Sequence, residues 1–425
     1  MKNFLNYYKT TLRDYVYVLT GAGFSRGFSF LSSILVARWL GAGDFGKFSL
    51  FYIAMDLTWQ FAEAFDTTFI VYAKATEEMA EKKVLIRTSV FTKVLYAGAL
   101  ICVSLPVIYF SARSHAVADR GITYFIALGV IAGAFLSFLR TILNYFREKE
   151  EFGRFTLLST AHTAIIFLTL LVLYGLDYSI DISEATNLYL LVALVIGCVS
   201  FGVVCKYSGN IFVVDRSVLK KSLAFGKWVF GYSLVFFLFQ RVDTVFLAHY
   251  VGYEDIGVYS VAVQLIMVIS LATGTLSAIF LPKSIPAIRS MSALTKYLKE
   301  AYLPIGAILV VLLLMIAAAP YLIGYAYGNA YTNATPVLRI LLIGWFFNII
   351  YLPVSFFFLA LNDSRVKFVL ELCKLMLLMG LMLVFVPRAG VIGAAVSVSI
   401  ALMLNSIVST IIVVARLKSN FSQVH

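Results

Sequence analysis

The chain has 425 residues, of which 61% are hydrophobic and 13% are charged. A soluble globular protein carries about 25% charged residues and cannot bury so large an apolar fraction. The composition excludes a soluble enzyme, a disordered chain and a secreted disulfide scaffold, and it predicts an all-α integral membrane protein. The formal charge of +12 is more typical of cytoplasm-facing loops in a membrane protein than of nucleic-acid binding.

The predicted elements are membrane-spanning helices, each of which needs about 20 mainly apolar residues. Clusters of Gly, Pro and charged residues separate twelve such segments, and the connections between them are too short to hold a soluble domain. The predicted spans are 16–38, 48–71, 89–111, 121–145, 155–176, 186–206, 227–249, 257–281, 301–323, 336–360, 367–386 and 391–415.

The distribution of Lys and Arg predicts the orientation. With the N-terminus inside, the inner segments hold 23 of these residues and the outer loops hold 5. Cytoplasmic loops of membrane proteins carry such an excess. Both termini are therefore predicted to be cytoplasmic, which also requires an even number of spans.

One motif occurs twice, 211 residues apart. Each copy follows the first span of a half and opens the second, with glycines for a tight turn, an Asp that can cap the new helix, and an aromatic expected at the membrane interface. The copies are Ala37, Gly41, Asp44, Gly46, Phe48, Ser49 and Ala248, Gly252, Asp255, Gly257, Tyr259, Ser260.

Two halves with six spans each enter the membrane in the same direction. The repeat therefore predicts two parallel six-helix bundles, 1–210 and 211–425, around a central cavity. Substrate is expected between the halves, near the middle of the bilayer.

The residues around the motif resemble those of bacterial polysaccharide and O-antigen flippases, whose superfamily also holds the MATE drug exporters and the lipid II flippase. The resemblance rests on Ala37-Arg-Trp-Leu-Gly41 with Asp44-Phe-Gly46-Lys-Phe48-Ser49, on Arg241-Val-Asp243-Thr-Val-Phe-Leu247, and on Val391-Ile-Gly393-Ala-Ala395. It implies export of a polyprenyl-diphosphate-linked oligosaccharide across the bacterial inner membrane. It also implies membrane lipids and other surface-polysaccharide assembly proteins as partners. No cofactor, metal or nucleic acid is predicted, since the four cysteines lie in apolar runs without a CxxC motif and the positive charge suits cytoplasmic loops.

A polar stripe marks the second predicted span. Asp56, Gln60 and Glu63 recur at spacings that place them on one face of a helix that is otherwise apolar. Arg26, near the middle of the first span, is predicted to lie level with this stripe. A charge at this depth is costly and usually faces a cavity or a partner.

The seventh span carries Arg241 and Asp243, so each half begins with a buried Arg and nearby acids. Two interpretations remain open: salt bridges that only fix helix packing, or the lining of a hydrophilic cavity. In the second, Arg26, Arg241 and Gln60 bind substrate, while Asp56, Glu63 and Asp243 carry a coupling ion or pair with the arginines. No catalytic residue is predicted.

Four other charges lie within one to two turns of a span end and are expected to reach the interface: Lys93, Arg140, Arg339 and Lys374. Lys374 is also spaced to pair with Glu371. Two alternatives to a flippase stay open: a MATE-type drug or cation antiporter, which should present mainly acids, and a membrane-embedded glycan polymerase, which usually needs a larger loop. The chain has no GxxxxGK[ST] loop for nucleotide binding.

Overall fold

A computed structural model of the chain describes residues 2–75, 79–114, 121–149, 151–208, 235, 237–361 and 363–424. Within these ranges, side chains are described except at 2–19, 63–83, 112–114, 148, 207–208, 270, 271, 275, 278, 364 and 420–424. Helices make up nearly all of the described residues, and these contain no β-strand.

The chain divides into two units, Met1–Phe237 and Leu238–His425. The predicted boundary at 210/211 lies outside the described residues. The described helices of the N-terminal unit are α1 (Lys2–Ala75), α2 (Met79–Ser114), α3 (Ile122–Glu148), α4 (Phe152–Gly175) and α5 (Ile182–Ser208).

Helix α1 breaks at Gly41, where φ is 67° and ψ is 176°. This left-handed backbone is essentially restricted to glycine, because a Cβ would clash with the chain itself. The predicted spans 16–38 and 48–71 lie on either side of Gly41. The predicted need for a glycine turn in the first copy of the motif is therefore confirmed.

Helix α1 packs closely on α3. A Cβ built on Gly129 would lie 2.2 Å from the Phe51 carbonyl oxygen, and one on Gly133 would lie 2.4 Å from that of Met55. Only glycine allows this approach, because any other side chain would overlap the α1 backbone. The contact fixes the turn of α1 that carries the first residue of the polar stripe.

In the C-terminal unit, α11 also breaks at a left-handed glycine, Gly390, with φ 52° and ψ −130°. The break falls between the predicted spans 367–386 and 391–415. The described elements of this unit are α6 (residues 237–250, which enters the unit at 238), α7 (Tyr253–Ala287), α8 (Met291–Tyr327), a 3₁₀ turn (Asn329–Tyr331), α9 (Ala334–Ser355), α10 (Phe357–Ala360) and α11 (Ser364–Val424).

Helix α9 ends two residues after Pro353, and the chain continues as the short α10. The last carbonyls of a helix lack partners within it. The Tyr297 hydroxyl of α8 donates to the Pro353 carbonyl at 3.0 Å, and the Tyr302 hydroxyl donates to the Ile350 carbonyl at 3.1 Å. Side chains of α8 thus bond the backbone of α9 at its end.

Eight helices among the described residues are long and apolar enough to cross a membrane. The protein is therefore a multi-pass helical membrane protein, as predicted. Residues 227–234 and 236 of the predicted span 227–249 lie outside the described residues. The twelve-span count and the two parallel bundles stay predictions.

Candidate functional site

The N-terminal unit contains a cavity between α1, α3, α4 and α5 whose lining is more apolar than polar. The volume open to the centre of a water molecule is about 30 Å³, and one water needs about 10–15 Å³ on this measure. The cavity can hold a few waters or one small ion, but not a sugar or a diphosphate. Its polar and aromatic lining consists of Ser29, Ser32, Tyr52, Asp56, Trp59, His162, Thr163 and Tyr189.

Asp56 supplies the acidic group of this cavity. It is half-buried, and its Oδ2 accepts a hydrogen bond of 2.9 Å from Nε2 of Gln60. The structure therefore brings together Asp56 and Gln60 of the predicted stripe. Glu63 lies one turn further along α1, but its side chain is outside the described residues.

Aromatic rings border Asp56 on the same face of α1. The Trp59 and His162 rings pack edge-on, with their centroids 5.6 Å apart. The guanidinium carbon of Arg140 lies 5.4 Å from the centroid of the Trp59 ring. The Trp59 indole N–H is buried without a hydrogen-bond acceptor among the described residues. Water in the cavity would satisfy this donor, since buried polar groups normally have a partner.

Arg26 does not line this cavity. It lies on α1 one turn before Ser29, and its side chain is exposed. It forms no ion pair with any residue that the structure describes. For Arg26, therefore, the described structure shows no salt bridge of the kind that the packing interpretation requires.

In the C-terminal unit, Asp243 lies on α6 and is only 6% exposed. Its Oδ2 accepts a hydrogen bond of 2.6 Å from the Tyr259 hydroxyl, and its Oδ1 accepts one of 2.7 Å from the Thr244 backbone N–H. Arg241, half-buried two residues earlier, also acts on Asp243 electrostatically. This carboxylate is thus held by neutral donors as well as by the predicted arginine.

The aromatic residues of the two motif copies pack inside the protein, and their depth in the membrane stays a prediction. Tyr259 is fully buried against Asp243, and Phe48 is 3% exposed within an aromatic cluster that includes Tyr189. The predicted Asp cap is wrong for the second copy. Gly252 is the N-cap of α7, no side chain caps it, and Asp255 lies in the first turn.

The expectation that Lys93 reaches the interface is wrong as well. Its side chain is fully buried, and Nζ donates to the Ser137 carbonyl at 2.8 Å and to the Thr141 hydroxyl at 2.6 Å on α3. Lys374 is also buried, and it forms the predicted pair with Glu371. Distance from a helix end could not reveal which neighbouring helix covers these lysines.

The fold and the site define a multi-pass helical membrane protein with charged groups inside its spans. The chain belongs to the polysaccharide biosynthesis protein family, whose sequence model matches residues 11–282. A protein of the Lsg locus of Haemophilus influenzae is similar to it, with 23% identity over 416 residues that cover 93% of this chain and 98% of that protein.

Two solved structures share the fold. The lipid II flippase MurJ in an inward closed conformation aligns with a TM-score of 0.69 and 17% identity, over 93% of this chain and 86% of that one. An inward-facing multidrug resistance MATE family transporter of the MOP superfamily aligns with a TM-score of 0.68 and 15% identity, over 93% and 95% of the two chains. At these identities the likeness concerns the fold.

Proposed function

We propose that the protein is a flippase that moves a polyprenyl-diphosphate-linked oligosaccharide from the inner to the outer leaflet of the bacterial inner membrane. The cargo is an O-antigen unit or another surface polysaccharide unit, and transport proceeds by alternating access. Membership of the polysaccharide biosynthesis family supports the cargo class. The fold shared with a lipid II flippase supports movement of a lipid-linked substrate.

The observation that carries the proposal is Arg26. An exposed guanidinium in the middle of the predicted span 16–38, with no ion pair among the described residues, needs an anionic partner or water to offset its cost in the membrane. A guanidinium binds phosphate oxygens in a bidentate manner and stays charged at all relevant pH values. We assign Arg26, with Arg241 of the other unit, to the diphosphate of the cargo.

The test is export of surface polysaccharide in cells that depend on this chain. Arg26→Ala should reduce export about tenfold or more, because a hydrogen bond to a charged group contributes about 1.5–3 kcal/mol. Arg26→Lys keeps the positive charge but loses the bidentate guanidinium, so it should retain part of the export. Normal export by Arg26→Ala and Arg241→Ala at wild-type abundance would overturn the assignment.

Arg339→Ala is the matched control for Arg26→Ala. Arg339 is also an exposed arginine within a span, but its Nε donates to the Ile316 carbonyl at 3.0 Å. Its removal should leave export unchanged. Protein abundance is measured for every variant, so that a loss of insertion is distinguished from a loss of transport.

Energy is proposed to come from an ion gradient or from the cargo gradient itself, with Asp56, Glu63 and Asp243 as the candidate ion or proton carriers. Asp56 is the strongest of these, because it borders a cavity of water-molecule size. Transport in vesicles is expected to fall when the proton and sodium gradients are collapsed. Transport that persists without either gradient would leave facilitated flipping.

A second candidate function is a MATE-type drug or cation antiporter, which the fold shared with a MATE family transporter supports. In this function, Asp56 beside its small cavity would carry the coupling ion. Efflux of ethidium by cells that express the protein would support this function. Loss of surface polysaccharide on deletion, without a change in ethidium efflux, would support the flippase.

The proposed topology has twelve spans, both termini in the cytoplasm and one six-helix bundle in each half. A reporter fused after residue 212 or 425 should then be cytoplasmic, and one near residue 181 or 330 periplasmic. A cytoplasmic reporter at 181 would overturn the arrangement.

A further inference from the structure

The first part of α11 carries a charged stripe that the proposed function does not use. Lys367, Glu371 and Lys374 are spaced at i, i+4 and i+7, so they lie on one face of the helix. With a rise of about 1.5 Å per residue, Lys374 lies about 15 Å from the start of α11. The stripe therefore runs from the end of the helix into the span.

This face is turned toward the interior of the C-terminal unit. Val369 and Met376, on the opposite face, are 53% and 67% exposed, as suits side chains in contact with lipid. Lys374 is 8% exposed, and its ammonium lies 3.7 Å from the centroid of the Phe239 ring on α6. The side chain of Lys374 thus does not extend along the lipid surface.

The stripe ends abruptly at Lys374. The next residues on the same face, Leu378 and Met382, are fully buried. Polar groups therefore lead from the Ser364 end of α11 to Lys374 and no further. Glu371 remains 38% exposed, so the stripe has an accessible side.

The stripe carries two positive charges and one negative charge. Glu371 pairs with Lys374, and it also acts electrostatically on Lys367, as Lys374 does. Of the two ammonium groups, only that of Lys374 forms an ion pair with this carboxylate among the described residues. An anion with more charge than a carboxylate can compete for both lysines, whose flexible stems allow their heads to converge.

We propose that Lys367 and Lys374 bind the phosphate group of a membrane lipid, with Glu371 as an internal anion that this phosphate displaces. The site is separate from the assignment of Arg26 and Arg241. It rests on the proposed function only in naming the polyprenyl diphosphate of the cargo as the natural source of the phosphate. An ordinary anionic phospholipid would offer the same chemistry.

The experiment measures binding of farnesyl diphosphate to the purified full chain in dodecyl maltoside, with phosphatidylglycerol and farnesol as comparison ligands. Glu371→Gln should bind farnesyl diphosphate several-fold more tightly, because Lys374 no longer has an internal partner. The double variant Glu371→Gln with Lys374→Gln should bind it about tenfold more weakly than Glu371→Gln alone. Lys374→Gln alone is not a suitable test variant, because it leaves the Glu371 carboxylate without its ionic partner.

Lys418→Gln is the matched control, since it removes one exposed positive charge from the other end of α11. It should leave the affinity unchanged. The unfolding temperature of each variant shows whether the fold is retained. Unaltered affinity in both Glu371→Gln and the double variant would overturn the proposal and leave a pair that only packs α11 on α6.

The comparison ligands identify the source of the phosphate. Preference for farnesyl diphosphate over phosphatidylglycerol indicates the cargo, and equal binding of both indicates membrane phospholipid. Farnesol should not compete in either case. If deletion of the chain leaves surface polysaccharide intact, the proposed function fails, while the binding measurements still decide whether the stripe is an anion site.

Discussion

Gly41 and Gly252 occupy the same position in the two copies of the repeated motif, yet their backbones differ. Gly41 has φ 67° inside a break of α1, whereas Gly252 has φ −70° and ψ 166° at the N-cap of α7. Any residue can adopt the second conformation, but the first is essentially restricted to glycine. The backbone conformation therefore requires glycine at Gly41 of the first copy but not at Gly252 of the second.

The two halves also differ at the positions of the buried Asp243–Tyr259 pair. With the offset of 211, Asp243 and Tyr259 correspond to Ser32 and Phe48. The second half therefore holds an acid–hydroxyl hydrogen bond of 2.6 Å where Phe48 instead packs on aromatic rings. A repeat in sequence here preserves the position of the helix boundary, but neither the backbone conformation of its glycine nor the chemistry beside it. The two halves therefore need not share one function.

The largest effect is expected from the aromatic packing of the first half. Phe48→Ala removes a buried ring and should destabilise the fold by about 3–5 kcal/mol, seen as a lower unfolding temperature in detergent. Phe110→Ala is the control, because Phe110 is 70% exposed and should have little effect. Similar losses from both variants would show that the Phe48 cluster is not a specific core.

The polar pair of the second half should contribute less. Tyr259→Phe removes the donor to a buried carboxylate and should destabilise the fold by about 1.5–3 kcal/mol. Adding Asp243→Ser, which reproduces the chemistry of the first half, should recover part of this loss, because the acid no longer lacks its donor. Strictly additive losses in the unfolding temperatures would contradict direct coupling.

The smallest effect is expected at the glycines. Gly41→Ala should destabilise the fold by about 1–3 kcal/mol through backbone strain alone, since a Cβ there meets no atom within 4 Å beyond the adjoining backbone. Gly252→Ala has the same open surroundings and should change the unfolding temperature little. Equal shifts in unfolding temperature for the two variants would contradict the proposed difference between the two glycines.

The features that the sequence predicted correctly depend on local sequence patterns. Apolar length located the long helices, the motif located the break at Gly41, and a spacing of three residues correctly paired Lys374 with Glu371. Each of these depends on residues close together in sequence. Amphipathic spacing likewise put Asp56 and Gln60 on one face, where they bond to each other.

Contacts between distant segments could not be read in the same way. The burial of Lys93 depends on acceptors of α3 about 45 residues away, and the bond to Asp243 depends on a tyrosine of α7. The cavity beside Asp56 draws its walls from four helices. No periodicity within one span indicates which other span will cover it.

The two tyrosines of α8 that bond the end of α9 have a consequence for motion. A slide of α8 along α9 by one residue, about 1.5 Å, would lengthen and weaken both the Tyr297–Pro353 and the Tyr302–Ile350 bonds. Shear between this pair of helices is therefore opposed, whereas rotation of the pair as a single block leaves both bonds intact. In a transport cycle, α8 and α9 are expected to travel together, with the displacement taken up at other helix contacts.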